Sequence, residues 1–251
     1  MSVREKTMGL RDRIKTFGLS VLYGHKSDER KYVEWLRSRG MRIGEHVHLY
    51  SPWTIKIDTQ RPWMIEIGNN VHITADCSIL QHDYSWAVLQ HMTGEVLGSC
   101  GKVHIGNNVF IGQKALILKG ADIGDNVIIG AGSVVSKKLE SNAVYAGVPA
   151  RRLMSIDEFL KKRRDAQVEE AVSLVREYKA VYGHAPRKEL LREFFWLFEP
   201  RELGSLNQVF ADVLDLDNQK DFSGATFAAS VPRFDGYDDF LSYCDLKDTL
   251  N

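Results

Sequence analysis

Residues 103–136 read VHIGNNVFIGQKALILKGADIGDNVIIGAGSVVS, and the string repeats itself every six positions. Ile105-Gly106, Ile111-Gly112, Ile117-Leu118, Ile123-Gly124, Ile129-Gly130 and Val135-Ser136 each open a block. Four places after each opening sits a small or β-branched residue: Val109, Ala115, Ala121, Val127, Ser133. A period of six matches neither the 3.6 of an amphipathic helix nor the 2 of a half-buried strand. It matches a short strand, a corner and another short strand, with three blocks closing one triangular coil. Stacked coils put the aliphatic residues in an internal column that no single coil can bury alone. Glycine after the aliphatic suits a tight corner, where a Cβ would crowd the neighbouring coil.

The phase extends outward from this stretch. It begins at Ile43-Gly44, continues through Leu49 and Ile55, breaks at Asp58-Thr59-Gln60-Arg61-Pro62, and resumes at Ile67-Gly68, Ile73 and Ile79. Pro62 cannot donate to a central ladder, so the break reads as a corner insertion. Residues 83–102 form a longer interruption, containing Tyr84, Trp86 and His91. An excursion of about 20 residues inside a compact repeat is more often functional than idle.

The six blocks, followed by Tyr145-Ala146-Gly147-Val148-Pro149-Ala150-Arg151, closely resemble the hexapeptide-repeat acyltransferases, in particular the branch that acetylates sugars and polysaccharides. The resemblance implies a mainly β fold, a left-handed parallel β-helix over residues 41–153. The left hand comes from the resemblance alone, because parallel crossovers ordinarily take the other hand. It also implies acetyl-CoA as cosubstrate, and a loop that projects from one corner over the active site of an adjacent subunit. A homotrimer is expected from it, and the flat faces of a triangular prism suit packing about a threefold axis.

Either side of the solenoid the pattern is helical. Residues 1–40 are expected to form an N-terminal helical segment that caps the first coil and covers its unpaired strand edges. Within it, Leu10, Ile14, Phe17 and Val21 among Arg4, Lys6, Arg11, Arg13 and Lys15 make residues 1–25 a basic amphipathic helix. Packing on protein is its first reading, peripheral contact with an anionic membrane the second. Ser27 reads as the N-cap of a second helix ending at Gly40. Residues 154–251 are expected to be a C-terminal helical appendage. Ser155 and Glu158 form a capping box opening a helix to about Tyr182, and a further helix spans Lys188 to Phe198. The tail from Pro200 reads as short helical patches with a turn at Gly224.

The 251 residues carry 33 basic and 33 acidic side chains, so no global charge points to nucleic acid. Three widely separated cysteines make no disulfide framework and favour a reducing, cytoplasmic setting. No apolar run approaches the ~20 residues of a membrane span, and no signal peptide is apparent.

His82, at the start of the excursion, is the candidate general base, since an imidazole has the right proton affinity near neutral pH. In the resembled family a histidine at the start of this loop does that work. Asp83 is the candidate to orient or help charge the imidazole, although neighbours in an extended segment point opposite ways. Tyr84 and Trp86 are candidates to stack on an acceptor sugar. The resemblance places acceptor-contacting polar groups near Thr54 and Asp58, one coil earlier. It places the donor along Gln113, Ala131, Ser136, Lys137 and Arg151, with Arg152 standing in for a second arginine that relatives carry where this chain has Met154. Small residues at Gly112 and Ala131 permit close backbone approach. Lys137, Lys138, Arg151 and Arg152 form a basic cluster suited to phosphates.

The expected activity is therefore direct transfer of an acetyl group from acetyl-CoA to a sugar hydroxyl of a surface polysaccharide or glycan precursor. Amino-sugar N-acetylation, serine or xenobiotic acetylation and a noncatalytic β-helix binding module are the alternatives. A covalent cysteine route is set aside because Cys77 falls on an inward position and Cys100 lies far along the excursion. A zinc-dependent hydratase on the same solenoid would need three histidines, two of them five residues apart. Those at 46, 48, 72, 82, 91 and 104 offer no such pair, so no metal is expected.

Overall fold

The computed structural model describes residue 18 and residues 20–249. They divide into two compact units that part between Phe159 and Leu160. Most of the basic amphipathic segment expected over residues 1–25 lies outside the described residues.

In the first unit, three parallel sheets form the sides of a solenoid. One holds Arg42–Ile43, Ile65–Ile67, Val103–Ile105, Asp122–Ile123 and Lys138–Leu139. The second holds Val47–Leu49, Val71–Ile73, Val109–Ile111, Val127–Ile129 and Ala143–Ala146, closed by Arg151–Ser155 running antiparallel. The third holds Lys56–Ile57, Ser78–Ile79, Leu116–Ile117 and Val134–Val135. The six-residue register is visible strand by strand. Ile105 pairs with Ile123, Ile111 with Ile129 and Ile117 with Val135, so three blocks make one coil. Ile79, Ile105, Ile111, Ile117, Ile123 and Ile129 are all fully buried in one apolar column.

The corners follow from residue type. At the turn from first to second sheet, Asn70, Asn108, Asn126 and Asn142 take positive φ, the left-handed conformation that asparagine tolerates better than most side chains. Asn108 donates to Asn126 and Asn126 to Asn142, each at 2.8 Å, which ties successive coils at that corner. A Cβ on Gly68 would stand 2.6 Å from the Gly106 carbonyl oxygen, so the glycine is required by the coil above.

The helix Glu29–Ser38 covers the first coil, with Tyr32, Val33 and Leu36 buried in the solenoid's own core. Its N-cap is Asp28, whose carboxylate accepts from the Arg30 and Lys31 N–H groups, and not Ser27. The Ser27 hydroxyl is turned back onto the Gly24 carbonyl at 2.7 Å, leaving the next residue to cap.

Two interruptions leave the solenoid at the same corner, between third and first sheets. The shorter runs from Asp58 to a 3₁₀ turn at Pro62–Met64. The longer is a hairpin: His82–Asp83 pairs antiparallel with Ser99–Cys100, and the helix Trp86–Thr93 sits between them, ended by Gly94 at φ 79°.

The helix Ile156–Tyr182 opens with the expected capping box, the Glu158 N–H donating to the Ser155 hydroxyl at 3.1 Å while the Glu158 carboxylate accepts the Ser155 N–H at 2.6 Å. In the second unit its buried Ala171, Val172 and Val175 meet Phe195, Phe198, Phe210, Phe227 and Phe240. Lys188–Phe198 is not one α-helix but two 3₁₀ turns, Lys188–Leu191 and Phe195–Leu197. A single helical stripe would bury Leu191, Phe195 and Phe198 and leave Leu197 outside. The tighter turns bury all four. Gly224 lies inside the helix Lys220–Ala229 instead of a turn, packed towards Leu203. Among the described residues, no helix is long and apolar enough to cross a membrane.

Candidate active site

The corner between third and first sheets gathers the titratable groups. Ile57 and Ile79 are register partners in adjacent coils, so the residues just past each of them emerge side by side. Asp58 follows Ile57 directly, its N–H donating to the Ile79 carbonyl at 2.9 Å. His82 follows Ile79 by three, where the chain turns into the hairpin. The two side chains meet: Nδ1 of His82 hydrogen-bonds one oxygen of Asp58. Their side chains are only 13% and 6% exposed, which separates this pair from the solvent-screened ion pairs of the surface. The second Asp58 oxygen accepts the Gln60 N–H at 3.0 Å, which locks the carboxylate in a local turn.

An ionised carboxylate can only accept, so the bonded Nδ1 is the donor, and in the neutral imidazole it is Nε2 that carries the lone pair. That is the tautomer a general base requires. Aromatic rings border it. Tyr84 lies edge-on to His82 at 5.3 Å between centroids and 5.8 Å from Trp86. The Tyr84 ring is well exposed, and its hydroxyl faces the Gln60 amide at 3.5 Å.

Several expectations are revised here. Asp83 does not touch the imidazole. Its carboxylate accepts from Lys119, Ser85 and Ser99, and the Lys119 hydrogen bond, followed by those from Ser85, holds its carboxyl well below the usual range. The reason is strand alternation, which sends Asp83 to the opposite face of the ribbon from His82. Asp58 is an imidazole partner with both oxygens engaged. Thr54 stands at the other edge of the third sheet, its hydroxyl donating to the Ser51 carbonyl at 2.9 Å and accepting the Asp76 N–H at 2.8 Å. Gly112 is buried, and a Cβ there would stand 2.5 Å from the Ala131 nitrogen. The next coil by itself demands that glycine. Cys100 is far from His82 in sequence but is its register partner in the hairpin.

The remaining donor-side candidates frame the third sheet. Gln113 and Ala131 are exposed at its edge with the second sheet, and Ser136 and Lys137 are exposed at the edge that carries His82. Arg151 and Arg152 are exposed on the antiparallel closing strand. Lys138 pairs with Glu140 at 3.1 Å. Sequence reasoning overlooked Gln60, Ser99 and Lys119. The available signal was their position at the corner shared by both interruptions. No set of three or more His, Cys, Asp or Glu among the described residues is arranged to hold a metal ion.

Comparison with known proteins agrees with this architecture. Residues 102–137 match the family model described as bacterial transferase hexapeptide (six repeats). The chain is 30% identical over 181 residues to the galactoside O-acetyltransferase of Escherichia coli K12, spanning 64% of this chain and 87% of that protein. It is 35% identical over 127 residues to Protein CapG of Staphylococcus aureus, spanning 51% of this chain and 73% of that one. A crystal structure of a maltose O-acetyltransferase from Clostridium difficile 630 is 27% identical, with a TM-score of 0.39, over 58% of this chain and 87% of that one. With a six-residue register legible in all three sheets and similarity across most of a curated relative, the chain belongs to the hexapeptide-repeat acyltransferases and is an acyltransferase.

Proposed function

We propose that this acyltransferase moves an acetyl group from acetyl-CoA to a sugar hydroxyl by direct transfer, with His82 as general base. The observation that carries the reading is the shielded His82–Asp58 pair, which turns Nδ1 to the carboxylate and leaves Nε2 for the acceptor, with the Tyr84 ring edge-on to the imidazole and Trp86 next to Tyr84. In the proposed step, Nε2 takes the acceptor O–H proton while that oxygen attacks the thioester carbon. The tetrahedral oxyanion collapses, the C–S bond breaks, and the departing thiolate takes the proton back from the imidazolium. Asp58 holds the ring and offsets the charge that forms on it.

Tyr84 and Trp86 offer apolar faces to the acceptor ring, and the similarity to a galactoside O-acetyltransferase supports a sugar in that place. Gln113, Ala131 and Ser136 are proposed to line the pantetheine arm, with Lys137, Arg151 and Arg152 near its phosphates. A glycan precursor made in the cytoplasm is the proposed acceptor, in keeping with three widely separated cysteines that suit a reducing setting. We infer left-handed coils and a homotrimer from the family. The hairpin helix supports the trimer, because Val88, Leu89 and Met92 expose an apolar face that a second chain would cover.

The test is thiol release from acetyl-CoA against galactosides, other glycans, amino sugars, serine and aminoglycosides, with product position read by NMR. O-acetylated sugar is expected. Turnover confined to amines or to serine would overturn the acceptor assignment, and full turnover by a species of monomer mass would overturn the trimer.

Cys100 shares a ribbon face with His82, which gives the covalent route a specific structural footing. The Nδ1 bond to Asp58 still favours direct attack, so Cys100→Ser is expected to keep turnover within about 3-fold, far less than loss of a general base costs. The same protein reports its own folding. Cys100 is exposed while Cys77 and Cys244 are buried, and burial pushes the Cys77 thiol up. One fast-labelling thiol in the native state, absent from Cys100→Ser, is the expected pattern.

A further inference from the structure

The excursion that carries His82 is built on a very short footing. Its ribbon is two residues long on each side, too little to hold a hairpin in register by backbone bonds alone. One face of that ribbon carries His82 and Cys100, the other Asp83 and Ser99. On the second face stands Lys119, which comes from the next coil, two residues beyond the strand Leu116–Ile117. Its place there is fixed by the solenoid. The Leu118 N–H donates to Val135 at 2.8 Å, and the Gly120 N–H to Lys102 at 3.1 Å. The Lys119 ammonium donates to the Asp83 carboxylate on the outgoing strand and to the Ser99 hydroxyl on the returning one. Ser99 in turn donates to Asp83 at 3.3 Å, and Asp83 accepts the Ser85 N–H at 3.0 Å.

We propose that Lys119 is a positioning residue for the transfer reaction: it fastens both strands of the hairpin neck to the rigid coil above and so fixes where the His82 imidazole stands. The inference rests on the reading of His82 as base. Lys119 touches neither the imidazole nor Asp58, and it acts through the ribbon between them. The groups around the imidazole divide cleanly. Asp58, Gln60 and Tyr84 hold or border it on its own side, Cys100 lies alongside in register, and the Asp83–Lys119 pair is neutral overall on the far side. Displacement of about 1 Å in a reacting group is enough to cost ~10²-fold in rate. A loosened neck therefore acts on kcat, with the donor and acceptor surfaces left intact.

Steady-state kinetics of the full chain test this with Lys119→Met, Lys119→Arg, Asp83→Asn, the double variant Asp83→Asn/Lys119→Met, and His82→Ala. Lys119→Met is expected to lower kcat by ~10-fold or more while KM for acetyl-CoA stays within about 2-fold. Lys119→Arg, whose guanidinium can span both oxygens, restores most of the loss. The double variant is no worse than Lys119→Met alone, because both changes cut the same tie. Wild-type kcat in Lys119→Met overturns the proposal. So does a loss that appears in KM for acetyl-CoA, which would make Lys119 a donor-binding cation, or an additive double variant. If Lys119→Met cannot be purified folded, Asp83→Asn and Lys119→Arg carry the same comparison. An active His82→Ala would remove the reading beneath it, whereas an inactive His82→Ala with an unaffected Lys119→Met removes this inference alone.

Discussion

Replacing His82 with alanine is expected to lower turnover by at least ~10²-fold, the usual contribution of a positioned general base. Acetyl-CoA binding, measured by calorimetry, should stay within about 3-fold, because in the proposed mechanism the ring acts on the acceptor proton. Nδ1 is held by a carboxylate that is itself locked by the Gln60 N–H, so the imidazole has one orientation. Asp58→Asn then gives a graded companion result. The amide oxygen can still accept from Nδ1, but the negative charge that stabilises the imidazolium is gone, so turnover falls by less than for His82→Ala. Asp83→Asn acts through the hairpin neck instead, and the three variants together rank the two carboxylates. Turnover of His82→Ala within a few-fold of wild type would remove the base from the mechanism.

Ile117→Ala carries the largest expected loss of stability, ~2–5 kcal/mol. Ile117 is fully buried at the middle of the column, with Ile79 below and Val135 above as register partners. The loss belongs in the upper half of the range because the site cannot collapse. Each coil is spaced from the next by backbone ladders, the Leu118 N–H to the Val135 carbonyl and the Leu80 N–H to the Ile117 carbonyl at 2.8 Å each. Those bonds keep the walls of the cavity apart after the side chain is cut back. Urea unfolding followed by tryptophan fluorescence reports it selectively, since Trp35, Trp53, Trp63 and Trp86 lie in the first unit and Trp196 alone in the second. Ile117→Val, which removes one methyl, is expected to cost only ~0.5–1.5 kcal/mol. Equal midpoints for wild type and Ile117→Ala would contradict a packed column at this position.

The solenoid was written in the sequence because its code is local and repeated. Each Ile-Gly pair states where a strand ends, and the sixfold spacing repeats the statement, so Ile105, Ile111 and Ile123 needed no tertiary information to be placed inside. The glycine corners were equally legible at Gly68 and Gly112, where the neighbouring coil leaves no room for a Cβ. The capping box at Ser155 and Glu158 was readable because both partners sit within one turn.

What the sequence could not decide were pairings across interruptions of unequal length. Twenty-four residues separate Asp58 from His82, and only the folded corner makes them neighbours. The choice of Asp58 over the adjacent Asp83 depended on strand alternation, which turned Asp83 towards Lys119. Cys100 looked remote until the hairpin set it opposite His82. Periodicity fixes which residues face the interior, since burying apolar surface is the same demand at every block. Which polar side chains meet outside depends on how two insertions close over one corner, and that geometry exists only once the coils have stacked.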